Sequence, residues 1–200
     1  MSAYTIDLKP LIGHISDRDF KQLCASNPEL KLETDAAGNL IVMPPTGSES
    51  GKFNMSLAFQ VELWNRQSKL GVVFDSSTGF KLSNGATRSP DVSWIQIARW
   101  NSLSEEQKRG FAPIDPDFVI ELLSPICEAV SFRTDSLAAL QQKMAEYIFC
   151  GVKLGWLIAP DLKQVEIYRL GKRKEVIDNP DALSGENVLP KLIVNLREIF

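Results

Sequence analysis

The chain has 200 residues, of which 44% are hydrophobic and 24% charged, a composition typical of one globular domain. Its formal net charge of −3 argues against a protein that coats nucleic acid through bulk positive charge, but not against a nuclease with carboxylates at its site. Three scattered cysteines and one histidine cannot form a structural zinc site, and no apolar run is long enough to span a membrane. We therefore expect a cytoplasmic protein.

The first third of the chain predicts a helix, a hairpin and a long helix. Ser16 is typical of a helix cap and predicts a first helix near 16–26. A hairpin is predicted from Leu30–Thr34 and Leu40–Met43. Apolar residues recur at helical spacing over 48–68 in two strips, which predicts a long helix buried over much of its circumference. The strips are Phe53, Leu57, Val61, Trp64 and Met55, Phe59, Leu63.

After the long helix, the apolar period becomes that of strands. The predicted strands are Gly71–Asp75, Phe80–Leu82, Asp91–Ile97, Phe118–Leu123, Leu154–Ile158 and Gln164–Tyr168. The predicted helices are Ser104–Arg109 and Asp135–Phe149, followed by a tail of loop and a last short helix over Leu189–Phe200. This order predicts an α/β or α+β fold with a central mixed sheet flanked by helices.

Two acidic residues lie where a carboxylate is costly. Glu121 interrupts the apolar run 118–123, and strand alternation places it on one face with Val119 and Leu123. A buried carboxylate must be paired, protonated or bound to a metal. Asp91 opens a neighbouring predicted strand, so the two carboxylates can converge as ligands for Mg²⁺ or Mn²⁺. The alternative is a turn residue at Asp91 and a structural ion-pair partner at Glu121.

Two further charged residues lie on predicted helices. Lys143 lies one turn from Leu140 and from Tyr147, at the edge of an apolar stripe, so its ammonium can reach the end of the sheet. The alternative is a surface lysine. Glu49 lies one turn before Phe53, on the predicted buried side of the long helix. Its alternative role is an N-terminal charge favoured by the helix dipole.

Six segments form an ordered set of motifs. They are Gly38–Gly47, Ser89–Val92, Pro116–Pro125, Leu140–Tyr147, Gly155–Pro160 and Val165–Arg169. Together they closely resemble the Uma-two family of predicted restriction endonucleases, over residues 30–200. The resemblance implies a single restriction-endonuclease-like domain over 1–200, with a nuclease core at 30–200 preceded by an N-terminal helical extension at 1–29.

The resemblance also implies a PD-(D/E)xK active site. Carried over residue by residue, Asp91 and Glu121 are its metal-binding acids. Lys143 is the active-site lysine, which in this family has moved from the strand to the following helix. Glu49 is the acid of the first core helix.

The sequence departs from the family pattern at two places beside this site. Leu123 stands where the strand motif has its lysine, so the chemistry depends on Lys143. The segment Ile126–Arg133 is inserted before the helix that carries Lys143. We expect this segment to fold over the mouth of the site and to be removable without loss of the fold.

The implied function is a Mg²⁺- or Mn²⁺-dependent endonuclease that hydrolyses phosphodiester bonds in DNA. The expected partner is DNA, with no membrane contact, and a homodimer is expected from the fold. The alternative is a catalytically inactive nuclease-fold module for binding or assembly. The sequence leaves an RNA substrate open, because no aromatic and basic recognition motif is visible.

Overall fold

The computed structural model describes residues 4–6, 15–43, 45–124 and 137–200. The inserted segment 126–133 lies outside these described residues. In chain order, the strands are β1 (Tyr4–Ile6), β2 (Lys31–Thr34), β3 (Leu40–Met43), β4 (Gly71–Asp75), β5 (Phe80–Lys81), β6 (Thr87–Arg88), β7 (Val92–Gln96), β8 (Phe118–Leu122), β9 (Leu154–Ala159), β10 (Gln164–Arg169), β11 (Glu175–Asp178), β12 (Ala182–Ser184) and β13 (Ile193–Asn195). The helices are α1 (Asp17–Ser26), α2 (Ser48–Ser68), α3 (Ile97–Asn101), α4 (Glu105–Arg109) and α5 (Leu137–Phe149).

Six strands form the central sheet, in the order β11-β10-β9-β8-β7-β4. Strands β8 and β9 run parallel and the other neighbours run antiparallel, so the sheet is mixed, as the sequence predicted. Every residue of β8 is buried, which agrees with its nearly continuous apolar run. Helices cover both faces, and the predicted fold class is confirmed.

The two faces of the central sheet have separate apolar cores. Helix α2 packs on one face, where its buried residues Phe53, Leu57 and Val61 meet alternate residues of β7, β8 and β9. Helix α5 covers the other face through Leu140, Met144 and Tyr147. Glu121 therefore points into the core beneath α5, because it shares its strand face with Val119 of that core.

A second, antiparallel sheet has the order β1-β3-β2-β6-β5. The hairpin β2–β3 is the predicted one, and α1 begins at the predicted cap Ser16. Strand β1 lies in the N-terminal extension together with α1, and it adds an antiparallel strand to the free edge of β3. Thr34 of β2 pairs with Thr87 of β6, which joins the hairpin to the segment leading into β7.

The C-terminal tail forms a strand where a short helix was predicted. Strand β13 pairs with β12, and its buried Val194 lies between two exposed residues, which is the alternation of a strand. The Gln60 side chain of α2 donates to the backbone carbonyl of Asn195 and accepts from its N–H. The Trp64 indole N–H donates to the Pro190 carbonyl. These bonds to α2 hold the tail extended.

Helix α2 is buried on one side, so the prediction of burial over much of its circumference is wrong. Met55 is 67% exposed, and Phe59 and Leu63 are also exposed. These three residues form a strip at helical spacing that faces away from the sheet. Within the described segments, no helix is long and apolar enough to cross a membrane.

Gly71 at the start of β4 provides a test of sheet packing. A Cβ at this position would lie 2.3 Å from both the Ile95 carbonyl oxygen and the Trp94 indole. We expect Gly71→Ala to lower the free energy of unfolding by about 1–3 kcal/mol, measured by urea denaturation. The matched control is Gly51→Ala in α2, where a Cβ meets no atom within 4 Å. This control should raise stability by about 0.5–1 kcal/mol, and equal stability of the two variants would contradict the close packing of β4.

Candidate active site

A cavity of about 70 Å³ lies where the two sheets, α2 and α5 meet. It is lined by Lys31, Met43, Pro45, Thr46, Gly47, Asn54, Asp91, Glu121, Leu122, Ser124, Leu140 and Lys143. Three of the four residues singled out from the sequence, Asp91, Glu121 and Lys143, thus share one cavity. Their catalytic roles remain predictions.

Asp91 directly precedes β7 and is fixed by two hydrogen-bond donors. Because β7 and β8 are antiparallel, with Val92 opposite Ile120, the start of β7 lies beside the end of β8. The backbone N–H of Leu122 donates to Asp91 Oδ2 at 2.9 Å. The Asn54 side-chain amide donates to Oδ1 at 3.2 Å. The carboxylate of Asp91 is therefore held in one orientation beside the backbone of β8.

Glu121 is 3% exposed and takes both of its contacts on one oxygen. Lys143 Nζ lies 2.8 Å from Glu121 Oε1, and the Tyr147 hydroxyl donates to the same oxygen at 2.9 Å. Burial raises the pKa of Glu121, Lys143 partly offsets this, and Asp91 and Glu33 raise it further, to about 7. The carboxyl is thus poised to exchange a proton near neutral pH.

Lys143 projects from α5 between two carboxylates of different sheets. Its Nζ lies 2.8 Å from Glu121 Oε1 and 3.0 Å from Glu33 Oε1. Burial alone would lower the pKa of Lys143, but Glu121 and Glu33 outweigh burial and raise it above its usual value. The side chain therefore stays an ammonium and acts as a hydrogen-bond donor, not as a general base.

Glu33 and Arg88 belong to the cluster but were not found from the sequence. Glu33 lies on β2, is 1% exposed and accepts from Arg88 Nη1 at 3.2 Å and from the Ser89 backbone N–H at 2.9 Å. Arg88 Nε also donates to Glu146 at 2.6 Å. A glutamate in a hairpin strand is common, so Glu33 did not stand out in the sequence. The only sequence signal for Arg88 was its position three residues before Asp91.

The contribution of α2 to the cavity comes from Asn54. Glu49 is exposed in the first turn of α2 and does not line the cavity; Ser50 is the buried residue there, so the expected burial of Glu49 is wrong. Its role in a reaction stays a prediction. Since the Asn54 amide donates to Asp91, its orientation is fixed, and its Oδ1 is buried with no hydrogen-bond partner among the described residues.

The residues at the cavity fit a hard divalent cation. Over residues 15–43, 45–124 and 137–200, no group of three His, Cys, Asp or Glu side chains is arranged as a metal site. Mg²⁺ needs fewer protein ligands, because it binds through one or two carboxylates and keeps several waters. Asp91 and Glu121 supply two carboxylates, and the unpartnered Asn54 Oδ1 adds a neutral oxygen. The cavity has room for a cation with a few waters.

The raised pKa of Glu121 predicts a pH dependence of stability in the metal-free protein. A carboxyl whose pKa is higher in the folded state favours folding when protonated, so its contribution is complete below pH 4.5 and is lost as the pH rises to about 7. The difference between a pKa of 4.5 and a pKa of about 7 corresponds to about 3 kcal/mol of folding free energy. Between pH 4.5 and 7, the wild type should therefore lose stability relative to Glu121→Gln, measured by urea unfolding in EDTA. If the unfolding free energies of the wild type and Glu121→Gln changed equally with pH, Glu121 would not be a buried and mainly protonated carboxyl.

Comparison with known proteins agrees with the observed architecture. The model of the family Uma2, described as "Putative restriction endonuclease", matches residues 17–197. A crystal structure described as a putative nuclease belonging to DUF820, from Anabaena variabilis ATCC 29413, has a TM-score of 0.68 at 21% identity, covering 84% of this chain and 89% of that chain. No curated protein matches the chain at a significant level. Because the family match extends over nearly the whole sequence, the chain belongs to the Uma2 family and has its nuclease-like fold.

Proposed function

We propose that this protein is a Mg²⁺- or Mn²⁺-dependent endonuclease of the PD-(D/E)xK type that hydrolyses phosphodiester bonds in DNA. The observation that carries the proposal is the meeting of two acids and one ammonium at a single cavity. Asp91 and Glu121 line it, and Lys143 Nζ lies 2.8 Å from Glu121. Membership of the Uma2 family supports the same reaction class.

Asp91 and Glu121 would hold the cation, with Asn54 beside Asp91. The two donors on Asp91 fix its carboxylate before any ligand arrives, so little ordering is needed on binding. Glu121 has to be ionised to bind, and its pKa of about 7 makes binding stronger as the pH rises through neutrality. A bound Mg²⁺ would neutralise phosphate charge and make water a stronger acid.

Lys143 would donate to the phosphate or to the attacking water. An ammonium has three N–H donors, and the contacts with Glu33 and Glu121 use two of them. Among the described residues the third N–H has no acceptor, so it can point to the cavity and stabilise the negative charge that develops on the phosphate oxygens. Tyr147 keeps Glu121 in place through its hydroxyl, and its own pKa is raised by burial and by the nearby carboxylates.

Metal binding and cleavage should separate the roles of Asp91 and Lys143. Asp91→Asn should abolish stoichiometric Mn²⁺ binding in calorimetric titration, because it removes one of the two carboxylates. Lys143→Met should keep stoichiometric Mn²⁺ binding at alkaline pH, where Glu121 is ionised, and should lower the rate of plasmid DNA cleavage by about 10²–10⁴-fold, because both carboxylates remain and the donor is lost.

The control for these variants is Glu62→Gln, which removes a half-buried carboxylate of α2 that pairs with Arg66 outside the cavity. This variant should bind Mn²⁺ and cleave DNA as the wild type does. A folded wild type that binds no Mn²⁺ would contradict the proposal and favour an inactive nuclease-fold module for binding or assembly. Cleavage of RNA but not DNA would contradict the proposed substrate.

Asn54 gives a finer test of the metal site. Asn54→Ala keeps both carboxylates but removes the amide donor to Asp91 Oδ1 and the unpartnered amide oxygen. We expect Mn²⁺ affinity to fall about 10–100-fold, the range found for groups that orient metal ligands. Unchanged affinity in the same calorimetric titration would show that Leu122 N–H alone orients Asp91.

A homodimer and a cytoplasmic location stay predictions of this proposal. Nucleases that cut both strands of a duplex often pair two copies of one domain, which is an argument from the fold and not from particular residues. Sedimentation of the full chain measures the oligomeric state directly.

A further inference from the structure

The side chains around Lys143 continue beyond the cavity into a buried charged cluster. Lys143 Nζ contacts Glu33 Oε1 at 3.0 Å, Glu33 Oε2 contacts Arg88 Nη1 at 3.2 Å, and Arg88 Nε contacts Glu146 Oε2 at 2.6 Å. Glu33 and Arg88 are buried and do not line the cavity. Their direct contact with a charged side chain of the cavity is the one between Glu33 and Lys143.

A lysine on a helix needs more than its backbone to fix its ammonium. The four-carbon stem of Lys143 is flexible, and its reach across to β8 has to be stabilised by contacts at the charged end. Glu121 is one such contact, with its Oε1 2.8 Å from Lys143 Nζ. The second is Glu33, a buried carboxylate of the other sheet whose Oε1 lies 3.0 Å from Nζ.

Glu33 is kept ionised by its other partners. Burial would raise its pKa, but Lys143, Arg88 and the backbone N–H of Ser89 together hold it below its usual value. Arg88 is held in turn by Glu146, which lies one turn after Lys143 on the same helix. The contacts form a closed loop from α5 through β2 and β6 back to α5, and this loop fixes the helix against the second sheet.

We propose that Glu33, held by Arg88, is the positioning residue that places the Lys143 ammonium at Glu121 and the cavity. The expected effect of Glu33 on DNA cleavage rests on the proposed nuclease function. Its expected effect on the position and reactivity of Lys143 does not. Glu33 does not touch substrate in this scheme, whereas Lys31 and Met43 of the same sheet line the cavity directly.

The test measures the chemical reactivity of Lys143 and DNA cleavage in the same variant. Glu33→Gln should raise acylation of Lys143 by an N-hydroxysuccinimide ester about tenfold, read by peptide mass spectrometry, because a charged hydrogen bond to the amine is lost. Cleavage should fall about tenfold or more in kcat, with stoichiometric Mn²⁺ binding retained, since Asp91 and Glu121 are intact.

The matched control makes the same change in an exposed ion pair. Glu105→Gln removes the carboxylate that lies 2.9 Å from Lys108 Nζ and should alter neither Lys143 labelling nor cleavage. In a Lys143→Met background, Glu33→Gln should cause no further loss of cleavage, because its target is gone. A merely structural role for Glu33 would lower cleavage in both backgrounds.

Unchanged labelling of Lys143 in a folded Glu33→Gln protein would overturn the proposal. Increased labelling in a protein whose wild type cleaves no DNA would leave the positioning role standing and overturn the proposed function. If Glu33→Gln does not fold, Glu33→Gln combined with Arg88→Gln removes opposite charges together and must show the same rise in labelling.

Discussion

The ammonium of Lys143 lies between two buried carboxylates, and the rest of the site depends on this placement. Strand β8 supplies Glu121, β2 supplies Glu33 and α5 supplies the lysine. Removing one partner of a buried ion pair costs about 3–5 kcal/mol, because the remaining charge is left without compensation. The two sheets and the helix therefore cannot shift past one another freely, and charge as well as apolar packing sets the position of α5.

The same arrangement is compatible with a leucine, and not a lysine, two residues after Glu121. Leu123 packs against the apolar core beneath α5, which also contains Val119 and Met144. Because Leu123 is apolar, the positive charge beside Glu121 comes from Lys143 on α5. The cluster thus divides two tasks, with the strand supplying the acid and core packing, and the helix supplying the donor.

The sequence predicted those parts of the site whose residues are unusual for their local pattern. A single acid in the apolar run of β8 has few explanations, so Glu121 was found, and the order of motifs identified Lys143. Glu33 and Arg88 were missed because they meet across 55 residues of chain and look ordinary in their own strands. Helical period showed that Met55 and Phe59 share a face, but not whether that face is covered. The second sheet and the tail strand depend on the same kind of long-range pairing.

The parallel pairing of β8 with β9 affects how the residues of the site are brought together during folding. Parallel neighbours cannot be joined by a tight turn, and here the connection includes α5. The acid of β8 and the ammonium of α5 thus belong to one crossover unit, while Glu33 and Asp91 come from earlier in the chain. Contacts between residues distant in sequence form slowly, because the entropy of closing a long loop is lost before the contact is gained. A chain in which only this crossover unit has formed would therefore hold Glu121 and Lys143 without Glu33 and Asp91, and the complete cluster requires the earlier strands as well.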